Sequence, residues 1–120
     1  MKSSDFRELK VWQKAMDLTM EIYSIVKFLP REETYALSDQ MRRAATSIPS
    51  NIAEGRGRGS SKEFVHFLLI SRGSLWELST QLEICEKANY IDGHKAEKAN
   101  QMIYEISKMI SALISTFEKK

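Results

Sequence analysis

The sequence predicts an all-α fold, an up-down-up-down antiparallel four-helix bundle built as a single domain over residues 1–120. Three observations carry this. Only two prolines and five glycines punctuate the chain, so long segments run without a strong breaker. Within those segments apolar residues recur three and four positions apart, the spacing of one helix face. Four such segments joined by short connections are most simply satisfied by a bundle of antiparallel neighbours.

The first predicted helix covers about Glu8 to Leu29, with Val11, Ala15, Leu18, Ile22, Ile25 and Leu29 on one face. Asp5 and Glu8 have the spacing of a capping box, and Pro30 ends the segment. The second covers about Glu33 to Glu54, with Leu37, Met41, Ala44 or Ala45, Ile48 and Ile52 as its stripe and Glu32 and Glu33 near its positive end. Pro49 falls inside it. A proline there leaves the Ala45 carbonyl without its helical donor and predicts a kink, flanked by Ser47 and Asn51, which reach freed backbone groups.

Gly55, Gly57 and Gly59 predict a loop, and Ser60 with Glu63 opens the third helix as a capping box. Phe64, Leu68, Ser71, Leu75, Leu78, Leu82 and Cys85 follow alternating steps of four and three, the rhythm of bundle packing near 20°. This helix ends near Ala88. A turn through Asn89–Gly93 leads to the fourth helix, about His94 to Glu118, with Ala99, Ile103, Ile106, Ile110, Leu113 and Phe117 along its seam.

Helices one and three carry a second apolar stripe: Leu9, Trp12, Met16, Tyr23 and Val26 on one, Val65, Leu69, Gly73 and Trp76 on the other. One reading is a homo-oligomer interface formed by Trp12, Met16, Tyr23, Val65, Leu69, Gly73 and Trp76, since aromatic residues and Met favour interfaces and Gly73 admits a close partner helix. The other is a wide core into which both stripes point.

Composition excludes several classes. The longest stretches without a charged residue, Ala44–Ala53 and Met109–Phe117, are far short of a membrane span. Charges stand near the N-terminus where a secretory leader has its apolar core, so the expected location is the cytoplasm. Cys85 is the single cysteine, which rules out an internal disulfide and multi-cysteine zinc modules and suits a small core residue. His66 and His94 lie on separate elements without ligand-type neighbours, so no metal is expected. Gly55-Arg56-Gly57-Arg58-Gly59 is neither a dinucleotide fingerprint nor a P-loop. No nucleophile stands beside a base at a readable spacing, so no catalytic residue, enzyme activity or cofactor is assigned.

The formal charge of +2 is unevenly placed. Residues 40–75 hold six basic and two acidic side chains, whereas residues 76–118 hold four and seven; Lys119 and Lys120 add two more positive charges. Five of the seven arginines, Arg42, Arg43, Arg56, Arg58 and Arg72, fall in the basic window with Lys62. Guanidinium binds phosphate bidentately and glycine keeps the backbone accessible, so Arg42, Arg43, Arg56, Arg58 and Lys62 are the candidate contacts to RNA or DNA. The competing reading is internal pairing of Arg42 or Arg43 with Glu54 or Asp39.

The run Gln40-Met41-Arg42-Arg43-Ala44-Ala45-Thr46-Ser47-Ile48-Pro49-Ser50-Asn51-Ile52-Ala53-Glu54-Gly55, preceded by Leu9-Lys10-Val11-Trp12-Gln13-Lys14-Ala15 and followed by Arg72-Gly73-Ser74-Leu75-Trp76-Glu77, resembles the four-helix bundle proteins encoded in intervening sequences of bacterial 23S rRNA genes. The resemblance covers essentially the whole chain. It implies a homopentamer with a conical, partly basic ring and no established catalysis. The hallmark positions of that family fall on Trp12, Tyr35, Gln40, Arg42, Arg43, Ser47, Ile48, Asn51, Ile52, Glu54, Gly55, Arg58 and Glu77. More distantly the chain is similar to the accessory variability determinants of diversity-generating retroelements, which implies nucleic acid and a nucleic-acid-processing protein as partners. The alternative function is a protein-protein scaffold or accessory subunit that touches no nucleic acid.

Overall fold

A computed structural model describes residues 5–118. Lys119 and Lys120, counted in the charge balance, and residues 1–4 at the start of the N-terminal segment lie outside the described residues. Four helices, α1 (Lys10–Val26), α2 (Leu37–Gly57), α3 (Ser61–Lys87) and α4 (Gly93–Glu118), form a rod 46 × 22 × 19 Å, with no strand among the described residues. Packing runs α1 on α2, α2 on α3, α3 on α4 and α4 back on α1. The pairs α1/α3 and α2/α4 therefore sit diagonally across one shared core.

The seven stripe residues predicted for α3 are all buried, and Ser60 Oγ accepts from Glu63 N at 3.1 Å as its cap. Asn89, at φ 64°, follows the helix in the left-handed conformation that asparagine tolerates. Asp92 Oδ1 then accepts from Lys95 N at 2.9 Å and opens α4, whose Ala99, Ile103, Ile106 and Ile110 are buried while Leu113 and Phe117 pack partly exposed beside them.

Three expectations about the ends of the helices are corrected. Asp5 does not open a long first helix: its carboxylate accepts from Arg7 N and caps a separate 3-10 turn, Phe6–Glu8, after which α1 starts at Lys10. Phe6 uses that turn to reach Trp12, ring centroids 5.3 Å apart. The second helix starts at Leu37, because Glu33 stays outside it in another 3-10 turn and presents Oε1 to Leu37 N at 3.2 Å. The glycines at 55 and 57 are helical. Gly55 is buried where α2 crosses α3, and a Cβ there would lie 2.6 Å from Phe67 Cβ, so its role is close approach between helices. Only Arg58, Gly59 and Ser60 connect the two helices, with Gly59 at φ 84°.

Inside α2 the helix continues through Pro49. The vacant Ala45 carbonyl is not met by Ser47 or Asn51. Thr19 Oγ1 of α1, itself buried, lies 3.1 Å from it and 2.8 Å from the Ala15 carbonyl. Asn51 Nδ2 instead donates to the Ser47 carbonyl at 2.8 Å, and Ser47 Oγ donates across the α2/α3 seam to Ser74 Oγ at 2.5 Å.

The surplus apolar residues divide. Val26 and Val65 belong to the chain's own core, with Leu9 and Trp12 packed against its edge. Met16, Tyr23, Leu69 and Trp76 remain exposed, as do Met20 and Tyr104, which the periodicity does not single out.

Candidate nucleic-acid interface

The five candidate cations do not form one cluster. Fourteen residues of helix separate Arg42 from Arg56, about 21 Å along α2. Arg42 and Arg43 stand in its first half; Arg56, Arg58 and Lys62 gather at the α2/α3 end. Around the helix, Arg42 and Arg56 project on one side and Arg43 and Arg58 on another.

Most of them have local partners. Arg42 Nη2 donates to the Thr34 carbonyl at 3.3 Å. Arg43 Nε donates to Asp39 Oδ2 at 3.1 Å, one turn back. Arg58 meets Glu54 Oε2 through Nη2 at 2.8 Å and Nε at 3.0 Å, with its guanidinium carbon 5.0 Å from the centre of the Phe67 ring. Arg56 is half-buried, its guanidinium carbon 5.8 Å from the Phe64 ring centre. Lys62 is exposed. Arg72, also in the basic window, donates to Ser111 Oγ at 3.4 Å.

Internal pairing of Arg43 with Asp39 therefore exists, while among the described residues Arg42 meets the Thr34 carbonyl and no acid. The Arg43 and Arg58 pairs are exposed i,i+4 contacts, a type contributing only about 0.3–0.5 kcal/mol. A phosphate can replace such a carboxylate at small cost. The aromatic floor beneath Arg56 and Arg58 has no signal in the sequence beyond Phe64 and Phe67 lying one turn apart, and Phe64 reads there as core.

The hallmark positions separate into packing and surface. Ile48 and Ile52 are core, Gly55 is the crossing point, Ser47 ties the α2/α3 seam, and Asn51 bonds back to the Ser47 carbonyl within α2. Gln40, Arg43, Ser47, Asn51, Glu54 and Arg58 recur at steps of three and four and so line one flank of α2, the flank bonded to α3 through Ser47. Glu77 Oε2 is 3.4 Å from Gln81 Nε2, and Tyr35 is almost wholly exposed beside the α1/α2 connection.

Among the described residues no group of three or more His, Cys, Asp or Glu side chains is placed to hold a metal ion. No helix among them is long and apolar enough to cross a membrane. Cys85 is fully buried against Met41, Sγ to Sδ 3.5 Å, and burial, reinforced by the negative charge of Glu33, pushes its thiol up to about 11.

Fold and surface together define a small antiparallel four-helix bundle with a polar helix seam and arginine-bearing flanks. The family model for the 23S rRNA-intervening sequence protein matches residues 7–112. The chain belongs to that family. It is also similar to a solved structure of a protein of unknown function from the S23 ribosomal protein family of Bacteroides thetaiotaomicron, at 30% identity and TM-score 0.80, over 87% of this chain and 97% of that one. Comparison with curated proteins returns no match.

Proposed function

We propose that the protein is a non-enzymatic cytoplasmic bundle that assembles into a ring, five copies by its family resemblance, and holds RNA or DNA through phosphate contacts. The observation that carries the nucleic-acid reading is the three-residue α2/α3 connection, which brings Arg56, Arg58 and Lys62 to one end of the rod beside the amino end of α3. Backbone N–H groups at a helix start and guanidinium groups over aromatic rings both suit phosphate. Arg43 extends the row along the Arg58 side of α2, and Arg42, held at Thr34, forms a separate contact. Repetition around a ring multiplies the local potential.

The test is a mobility shift of structured RNA and of duplex DNA between about 50 and 200 mM salt. Affinity is expected to fall steeply with salt, and Arg56→Ala with Arg58→Ala to flatten that slope. Binding insensitive to both removes the assignment. The ion pairs Arg43–Asp39 and Arg58–Glu54 favour the second reading, a protein-protein scaffold without nucleic acid. That reading takes over when the wild-type chain retards neither probe at low salt.

A further inference from the structure

The α1/α2 side of the rod carries arginines and aromatic rings while the carboxylates of both helices turn away from it. Arg42 and Arg56 lie on one line of α2, and Thr46, Pro49 and Ala53 between them, at steps of three and four, are uncharged. That line belongs to the α1 side, because Ala45, three residues after Arg42, receives Thr19 Oγ1 of α1. The acids Asp39 and Glu54 of α2 instead bond Arg43 and Arg58, on the flank that meets α3. On α1 the acids turn to α4, where Glu21 Oε1 is 3.3 Å from Lys98 Nζ and Asp17 shares a small cleft with Met102 and Glu105. In the connection, Glu33 is bonded to Leu37 N and the Tyr90 hydroxyl, and Arg31 offsets its neighbour Glu32.

Two tyrosines border this line. Tyr23, four residues after Thr19, lies on the α2 side of α1 and is 39% exposed. Tyr35 is 94% exposed in the α1/α2 connection, next in the chain to Thr34, whose carbonyl holds Arg42 Nη2 at 3.3 Å. Among the described residues neither tyrosine has a hydrogen-bond partner for its hydroxyl or a ring stacked on its own.

We infer that this side binds a single-stranded segment of nucleic acid, laid along α1 and α2 from Arg56 to Arg42, with bases stacked on Tyr23 and Tyr35. The inference rests on the nucleic-acid reading above and specifies the form of the ligand. Arg42 and Arg56, about 21 Å apart along the helix, meet phosphates about six nucleotides apart at the ~3.4 Å rise of a stacked strand. A duplex keeps its base faces inside its own stack, so it reaches the arginines and leaves the tyrosines unused. A strand with unpaired bases engages both, the combination of cationic track and aromatic platform that recognises single strands.

The experiment follows anisotropy of a labelled single-stranded RNA, and of the same sequence as a duplex, on the full chain, with mass read by light scattering. Wild type is expected to hold the single strand more tightly than the duplex. Tyr35→Ala and Tyr23→Ala are each expected to weaken the single strand about tenfold, the worth of one stacked base. Tyr35→Phe keeps the affinity, and duplex affinity, mass and helical signal stay unchanged in all three variants. Arg42→Ala is expected to lower the salt slope for the single strand by about one contact. A wild type that binds neither probe at low salt overturns the nucleic-acid reading and this inference together. A wild type that holds the duplex as tightly as the single strand, or alanine variants that keep full single-strand affinity, overturn this inference and leave the arginine contacts standing. A Tyr23→Ala chain of reduced mass gives the face to a second copy and overturns the assignment as well.

Discussion

Thr19 Oγ1 stands 3.1 Å from the Ala45 carbonyl, the acceptor that Pro49 deprives of its helical donor. The single hydroxyl proton is shared with the Ala15 carbonyl at 2.8 Å, so a side chain from α1 supplies one arm of a bifurcated bond to a backbone group that α2 cannot satisfy for itself. Thr19→Val is expected to lose about 1–2 kcal/mol, because the buried carbonyl is then left without a partner, whereas Thr19→Ser keeps most of that. Urea denaturation measures both. In a Pro49→Ala background the backbone N–H restored at position 49 takes over the carbonyl, so the Thr19→Val loss shrinks; equal losses in the two backgrounds would mean that Thr19 does not serve it.

Gly55 and Gly57 are predicted to respond in opposite directions. Alanine at 55 forces a Cβ to within 2.6 Å of Phe67 Cβ and is expected to cost about 1–3 kcal/mol through overpacking. Alanine at 57, helical and with open space around its Cβ, is expected to stabilise by up to about 1 kcal/mol. Paired thermal melts of the two variants check this.

Those same residues mark where the sequence can and cannot be read. The 4-3 rhythm from Phe64 to Cys85 is legible because burial repeats with the helix itself, and Ser60 and Glu63 have cap spacing. Glycine at 55 signals equally a loop or a close crossing, and only the position of Phe67, twelve residues on, separates them. The start of α2 is misplaced in the sequence because Glu33 acts from outside the helix, and acidic residues near a helix start look alike inside or outside it. The candidate arginines are legible as a charge excess but not as rows, because which flank of α2 meets α1 or α3 is a property of the packed bundle.

Alkaline pH is expected to weaken the fold. Cys85 is raised to about 11 from an ordinary 9.0, and Tyr90, whose hydroxyl donates to Glu33 Oε2 at 2.9 Å, is raised from 10.0 chiefly by that bond. Both groups are favoured neutral in the folded chain. Their contribution is complete below the unfolded values and disappears as pH climbs through the folded ones. The Cys85 part is on the order of 2 kcal/mol, lost between about pH 9 and 11. Cys85→Ala should flatten the fall in urea midpoint over that range, and an unchanged slope would assign it elsewhere.

Glu54→Gln should strengthen phosphate binding. The substitution releases Arg58 from a carboxylate at 2.8 Å and adds one unit of positive charge at the α2/α3 end. Stability is expected to change by less than about 0.5 kcal/mol, as for other exposed pairs. RNA affinity at low salt is expected to rise several-fold and the salt slope to steepen by about one contact. A weaker complex would instead make Glu54 a necessary support for Arg58.

Cys85 also makes the molecule its own clock. It is the chain's one thiol, sealed between α2 and α3 beside Met41. A small disulfide reagent therefore finds nothing to modify until those helices part. The labelling rate, followed by mass, reads how often the interior opens under native conditions, without a dye and without a denaturant.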